Sequence, residues 1–174
     1  MIKKKITFLL NGVKTEFEID PNERLLALLR RNGYKGTKYG CLEGACGTCT
    51  VIMDGKAVAS CLVFAFQADG REIVTIEGVG EGYETGGSSS NPSGDKPNEI
   101  QQALIEEGAV QCGYCTPGIV LSAKAMFDEN PTPDDETIKR QMDGNLCRCT
   151  GYEKIWAAMK KISARHRYNC GGKK

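Results

Sequence analysis

The chain is poor in the residues and patterns that mark several common kinds of protein. Its 174 residues include a single histidine, His166, and carry a formal net charge of +1. One histidine leaves no basis for a histidine-rich metal site or a Ser/His/Asp catalytic set. The near-zero charge gives no indication of binding to nucleic acid or to a membrane surface. No apolar run approaches membrane-spanning length either, so we expect no membrane insertion.

The N-terminal residues also do not show the pattern of an export signal. The N-terminal apolar run, residues 6–10, is too short for a signal peptide and lacks a cleavage site. The chain nevertheless contains nine cysteines, and an odd number argues against a closed disulfide framework. We therefore expect a cytoplasmic protein in which most of the cysteines are metal-bound thiolates.

The first set of cysteines has a distinctive spacing. Cys41, Cys46 and Cys49 form a C-x4-C-x2-C run, and Cys61 follows a short distance later. This is the plant-type arrangement that holds a [2Fe–2S] cluster. The run is also rich in glycine, which lets a loop wrap closely and direct backbone N–H groups at sulfur. A structural zinc site is the alternative, although zinc usually takes its ligands from two paired knuckles.

A second set of four cysteines lies in the C-terminal half. Cys112 and Cys115 form one pair, and Cys147 and Cys149 form the other. A threonine directly follows each pair and could cap a helix, so both pairs are predicted to lie just ahead of helix N-termini. Two helix dipoles would then favour an anionic group such as a tetrathiolate [2Fe–2S] cluster. Zinc remains the alternative here as well.

The pattern of the N-terminal half predicts a small sheet with one helix. Asn11-Gly12 and Asp54-Gly55 are strong signals for β-hairpin turns. The predicted strands are residues 4–10, 13–19, 50–53, 56–60 and 73–76, and the predicted helix covers residues 24–31. Together these elements indicate a compact β-grasp, ferredoxin-like domain over residues 1–78.

The remainder is predicted to be helical. Residues 79–98 include a polar, Gly/Ser-rich stretch that indicates a linker, with a partner-contacting loop as the alternative. Residues 99–166 contain four amphipathic segments, one of them with Thr132 as its expected cap, and residues 167–174 are predicted to be a frayed tail. The fold class is therefore α+β, with an all-α domain after the β-grasp domain. We expect His166 on a solvated helix end, and Cys170 as an unliganded thiol.

Four stretches resemble one known family. They are GCLEGACGTCTV (40–51), SCL (60–62), VQCGYCTPG (110–118) and NLCRCTGY (145–152). In this order they are similar to the small iron–sulfur subunit of the molybdenum hydroxylases, the xanthine dehydrogenase and aldehyde oxidoreductase family. The resemblance extends from residue 1 to about residue 165. The segment 83–97 is longer than the usual connection, and Cys170 has no matching role.

The resemblance implies cofactors and partners. It implies one [2Fe–2S] cluster in each domain, a large subunit that binds a molybdenum–pterin cofactor, and in many members a subunit that binds FAD. It further implies that the helical-domain cluster lies nearer the molybdenum. The chain has no candidate base, nucleophile or substrate pocket, so we expect an electron-transfer subunit. The alternatives are a free-standing ferredoxin-like carrier and a zinc-stabilised interaction module.

One further expectation concerns the pterin. Gln111 directly precedes Cys112, and its amide can both donate and accept hydrogen bonds, as the edge of a pterin requires. In the family, the matching glutamine and the last cysteine of the C-x-C pair, here Cys149, approach the pterin amino group. The alternative is local: Gln111 could cap the preceding helix or bond the cysteine loop.

Overall fold

A computed structural model describes residues 3–80 and 97–171, with side chains up to Tyr168. The greater part of the predicted linker, 79–98, and the Cys170 side chain lie outside this range. The strands are β1 (Lys4–Leu10), β2 (Val13–Ile19), β3 (Thr50–Met53), β4 (Lys56–Ala59) and β5 (Glu72–Val74). The helices are α1 (Leu25–Arg31), α2 (Glu99–Glu106), α3 (Thr116–Glu129), α4 (Asp135–Met142) and α5 (Glu153–Gly171).

The five strands form one mixed sheet in the order β2-β1-β5-β3-β4. β1 pairs antiparallel with β2 and parallel with β5, whereas β3 is antiparallel to both of its neighbours. Both predicted hairpin turns are present, and Asn11 and Gly12 take the positive φ values, 51° and 79°, that such a turn requires. The fold is α+β, as expected.

Two apolar cores hold the elements together. In the first, three of the four buried leucines of α1 pack in one cluster with the β1 side chains Ile6, Phe8 and Leu10, whereas Leu26 packs with Cys49 and Cys61. The second core lies among α2 to α5 and also includes Ile52 and Val74 from the sheet. Because strand residues contribute to the helical core, the helices are packed directly on the β-sheet.

The C-terminal helix is longer than the sequence indicated. α5 continues to Gly171, so the predicted tail from residue 167 is wrong for its first five residues. Arg167 gives the physical reason, because its guanidinium donates to the Pro133 carbonyl at 2.9 Å and to Ser163 Oγ at 3.0 Å. None of the helices in the described ranges is both long and apolar enough to cross a bilayer.

His166 is also more constrained than a solvated helix end would be. Its Nδ1 lies 2.9 Å from the Pro131 carbonyl and its Nε2 lies 2.8 Å from Glu99 Oε2. The ring also meets Phe127 edge-on, with 5.8 Å between centroids. His166 therefore ties α5 to the start of α2 and to the connection between α3 and α4.

Candidate metal centres

The β3–β4 hairpin brings two cysteines of the first set together. Cys49 directly precedes β3 and Cys61 comes two residues after β4, and the pairing of Thr50 with Ala59 places the two strand ends side by side. Ser60 closes this end by donating from Oγ to the Cys49 carbonyl at 2.6 Å. Both thiols are buried and contact each other. The hairpin register is thus what pairs Cys49 with Cys61.

The glycine-rich loop places the other two cysteines of this set. The Cys41 N–H donates to Cys46 Sγ at 3.4 Å, and the Glu43 N–H donates to Cys41 Sγ at 3.4 Å. Gly40 permits this close approach, because a Cβ there would lie 2.7 Å from Cys46 Sγ. The loop therefore directs backbone N–H groups at sulfur, as the glycine content predicted.

Cys41 and Cys49 of the first set differ in how readily their thiols ionise. The N–H of Glu43 stabilises the Cys41 thiolate and lowers its pKa to about 7. Burial raises the pKa of the Cys49 thiol to about 11. A bound metal would overcome that burial penalty, because a coordinating thiol loses its proton to the positive charge of the ion. Cys41 is thus the more readily ionised donor, and Cys49 ionises only with a metal in place.

The second set is also arranged in pairs. Cys149 Sγ lies 3.6 Å from Cys112 Sγ, and the thiols of Cys115 and Cys147 contact each other. Each contact joins the segment 112–115 to the segment 147–149. The two segments, which are separate in the sequence, therefore lie side by side and bring their thiols together in two contacting pairs.

The local structure around the second set corrects one expectation. Thr116 is the first residue of α3 rather than its cap, and Cys115 occupies the cap position without a side-chain cap bond. Thr150 does not cap α5, which begins at Glu153. Instead, Thr150 donates from its N–H and its hydroxyl to Cys147 Sγ, at 3.4 and 3.1 Å. One helix N-terminus adjoins this set directly, and a threonine supplies the other donors.

Burial and hydrogen bonds also determine how readily the thiols of the second set ionise. The N–H of Tyr114 holds the pKa of Cys112 below its usual value, whereas the hydrogen bond with Cys112 raises the pKa of Cys149. Burial raises the pKa of Cys115 to about 12. Burial also opposes ionisation of Cys147, but the donors of Thr150 and nearby backbone amides outweigh it and lower its pKa. This set therefore combines two thiols with a lowered pKa, Cys112 and Cys147, and two with a raised pKa, Cys115 and Cys149.

The donor chemistry fits binuclear iron–sulfur clusters. In the described residues, no three His, Cys, Asp or Glu side chains converge as ligands of a single ion. The thiols meet two by two, and a [2Fe–2S] cluster takes four thiolates. The N–H groups directed at sulfur suit the negative charge of such a cluster.

Gln111 is exposed at the edge of the second set, beside the exposed Cys112. The carbonyls at the end of α2 are met by backbone amides, including the Ala109 N–H on the Leu104 carbonyl at 2.8 Å. Gln111 takes no part in that cap.

Several residues that support the sites were not found from the sequence. Tyr152 accepts from the Cys147 N–H at 2.7 Å, Tyr114 donates to the Tyr39 carbonyl at 2.5 Å, and Asn145 donates to the Gly47 carbonyl at 3.1 Å. Each lies next to a cysteine motif in the sequence, and each bonds to a backbone atom. A residue pattern does not identify a backbone partner, so closeness to the motifs was the only signal that could have pointed to these residues.

Two domain families match the chain in sequence. Residues 8–73 match the family described as "2Fe-2S iron-sulfur cluster binding domain". Residues 75–160 match the family described as "[2Fe-2S] binding domain". Both cysteine sets fall within these matches, the first in the former and the second in the latter.

Similar proteins are iron–sulfur subunits of dehydrogenases. The chain is 50% identical over 161 residues to the nicotinate dehydrogenase small FeS subunit of Eubacterium barkeri, covering 92% of this chain and 95% of that one. It is 42% identical over 149 residues to the xanthine dehydrogenase iron-sulfur-binding subunit of Escherichia coli O157:H7, covering 84% and 86%.

A solved structure agrees in fold. A chain of quinoline 2-oxidoreductase from Pseudomonas putida 86 superimposes with a TM-score of 0.84 at 37% identity, and the match covers 95% of this chain and 97% of that one. The chain therefore belongs to the small iron–sulfur subunits of the molybdenum hydroxylase family, and it is a non-catalytic electron-transfer subunit of an oxidoreductase complex.

Proposed function

We propose that this subunit carries electrons between a molybdenum–pterin cofactor on a large partner subunit and FAD on a second partner. Residues 1–78 and 99–166 form the two domains, each with one [2Fe–2S] cluster. The proposed ligands are Cys41, Cys46, Cys49 and Cys61 in the first, and Cys112, Cys115, Cys147 and Cys149 in the second.

The observation that carries this proposal is the grouping of the eight thiols. Thiols of each set meet in pairs, Cys49 with Cys61 in the first, and Cys112 with Cys149 and Cys115 with Cys147 in the second. N–H or hydroxyl donors point at Cys41, Cys46 and Cys147. When bound, a [2Fe–2S] cluster supplies reversible one-electron chemistry. The chain positions the thiolates, compensates their charge and limits access of water by burying Cys49 and Cys61.

The surface near both sets supports permanent assembly with partners. Large apolar side chains that neighbour the cysteines in the sequence are exposed, namely Leu42 and Leu62 beside the first set, and Val110, Tyr114 and Leu146 beside the second. Exposed large apolar residues are typical of protein interfaces. Their position next to both sets suits a subunit that docks its partners near its redox centres.

Isolation of the native complex tests the proposal. We expect the chain to co-purify with larger subunits that contain molybdenum and FAD, with about four irons and four acid-labile sulfides in this chain. Reduction should produce two distinguishable paramagnetic centres. Isolation as a stable monomer, with the matching activity elsewhere, would support the free carrier. Zinc in place of iron, without visible absorbance, would support the interaction module.

Gln111 and Cys149 are proposed to form the contact with the pterin. Both lie in the exposed part of the second set, and Cys149 is within 3.6 Å of Cys112. An electron that leaves the pterin would then reach the second set before the first. The exposed amide of Gln111 supports this role, because it lies apart from the cap of α2.

Replacing Gln111 tests that contact. In the assembled complex, Gln111→Ala should preserve the iron content but slow substrate-driven reduction of the iron–sulfur centres or lower the molybdenum content. The reason is the loss of an amide that both donates and accepts hydrogen bonds. Gln102→Ala, which changes a different exposed glutamine that lies on α2, is the control and should alter neither quantity. Full molybdenum occupancy with unchanged reduction kinetics would leave Gln111 without a pterin role.

A further inference from the structure

The sulfur of Cys147 receives a hydrogen bond from a side-chain hydroxyl as well as one from the backbone. Thr150 Oγ1 donates to Cys147 Sγ at 3.1 Å, and the Thr150 N–H donates to the same sulfur at 3.4 Å. The donors that reach Cys41 and Cys46 in the first set are backbone N–H groups. The Thr150 hydroxyl is therefore a donor that one substitution can remove while the backbone donor stays.

A second hydrogen bond determines the direction of the Thr150 hydroxyl. The Tyr152 N–H donates to Thr150 Oγ1 at 3.3 Å. A hydroxyl carries one proton and two acceptor lone pairs, so the oxygen accepts from Tyr152 and directs its own proton at Cys147 Sγ. Thr150 is thus oriented as a donor by the chain itself.

Tyr152 adopts an unusual backbone conformation to make this contact. Its φ is +70°, in the left-handed region that bulky residues rarely occupy. Its hydroxyl accepts from the Cys147 N–H at 2.7 Å and donates to the Asn145 carbonyl at 3.2 Å, and its ring stacks on Trp156 with 5.7 Å between centroids. Strain of this kind persists only where surrounding contacts enforce it. These contacts keep the Tyr152 N–H directed at Thr150.

The hydrogen bond from Thr150 favours a more negative sulfur. Cys147 and Thr150 are both partly buried, and a hydrogen bond to an ionised acceptor is stronger than a neutral one, especially away from water. Adding an electron to an iron–sulfur centre makes its thiolate ligands more negative. The bond therefore stabilises the reduced state more than the oxidised state, and hydrogen bonds to the sulfurs of a centre are one determinant of its potential.

We infer that Thr150, through its hydroxyl on Cys147, raises the reduction potential of the iron–sulfur centre proposed for the second set. This inference rests on the proposed assignment of Cys147 as a ligand. Reduction adds one electron, supplied by the molybdenum–pterin cofactor proposed on the large partner. No bond forms or breaks in this chain, and Thr150 keeps its proton. The higher potential makes the second centre easier to reduce.

The test compares three variants in the assembled complex. Thr150→Val keeps the shape of the side chain and the backbone N–H but removes the hydroxyl, whereas Thr150→Ser keeps the hydroxyl. The matched control is Thr116→Val, because Thr116 directly follows Cys115 as Thr150 follows Cys149. Within the described residues, Thr116 makes its hydrogen bond from the N–H to the Gly113 carbonyl at 3.3 Å, and not from its hydroxyl to a thiol.

A redox titration followed by electron paramagnetic resonance measures the potential of each centre separately. In Thr150→Val, the ratio of reduced to oxidised second centre at a fixed potential should fall about tenfold, which corresponds to a midpoint potential about 59 mV lower for a one-electron couple. The first centre should keep its potential and serves as an internal reference. Thr150→Ser and Thr116→Val should leave both potentials unchanged, and all three variants should keep their iron.

An unchanged potential of the second centre in Thr150→Val with full iron would overturn the inference. An equal shift in Thr116→Val would also overturn it, because the effect would then not depend on the bond to Cys147. If the valine variant lost the second centre, Thr150→Ala, which also lacks the hydroxyl, would be titrated in its place. Loss of that centre in both would mean that the hydroxyl holds the centre and does not set its potential.

A shortage of iron in the unmodified chain is a different outcome. It would contradict the proposed assignment of the cysteines themselves, whereas the titration of the variants concerns only the role of Thr150.

Discussion

Cys147→Ser is expected to remove the second iron–sulfur centre and to leave the first intact. Cys147 contacts Cys115 and receives two hydrogen bonds from Thr150, so the substitution removes a proposed ligand of the second set. Iron and sulfide should fall by about half, and one of two paramagnetic signals should disappear. Iron analysis and low-temperature electron paramagnetic resonance on the purified complex measure these effects.

Cys46→Ser is the reciprocal experiment. It should remove the first centre and spare the second, because its thiol accepts from the Cys41 N–H within the first loop. Cys170→Ser provides the matched control, since this cysteine belongs to neither set, and both signals should remain. Two separate sets would be ruled out if either ligand substitution abolished both signals in protein that remained folded by circular dichroism.

Gly47→Ala is expected to lower the stability of the whole chain substantially. Gly47 has a φ of +66°, which costs a side-chain-bearing residue about 1–2 kcal/mol. The added Cβ would also lie 2.3 Å from the Gly144 carbonyl oxygen and 2.5 Å from Asn145 Nδ2. Because the first of these atoms belongs to the backbone, the overlap forces the two cysteine loops apart, which adds about 1–3 kcal/mol.

Gly55→Ala separates the two contributions. Gly55 has a φ of +79°, but a Cβ there would have nothing within 4 Å. Alanine at this position therefore carries the backbone strain without the overlap. At one scan rate, we expect the unfolding midpoint of Gly47→Ala to lie about 2–12 °C below that of Gly55→Ala. Equal midpoints would show that the junction between the loops yields easily.

Where the sequence carried a local physical signal, it predicted the fold correctly. The two strands of the first hairpin, Lys4–Leu10 and Val13–Ile19, have the predicted bounds, because the Asn-Gly turn and alternating polarity act within a few residues. Helix boundaries were less well determined. The cap of α4 is Asp134, which accepts from the Thr137 N–H, and not Thr132 two residues earlier. Several neighbouring residues could each cap a helix, and local pattern alone does not choose among them.

The end of α5 illustrates a different difficulty. The residues after 166 are polar and contain glycine, which is typical of a frayed terminus. The helix continues because Arg167 and Ser163 bond to the Pro133 carbonyl, which lies about thirty positions away in the chain. His166 is fixed in the same way by Pro131 and Glu99. Contacts between residues this far apart in the chain leave no signal in a local sequence pattern.

The sequence by itself determined the two proposed sets of cysteines, because ligand spacing is a property of a short stretch of chain. It also determined the fold class and, through the order of four motifs, the family. Only the tertiary structure decided how the two sets adjoin. The carbonyls of Cys46 and Gly47 meet Leu146 and Asn145 across about a hundred residues of chain. Packing of α3 on β3 and β4 produces that approach, and it depends on the whole core at once.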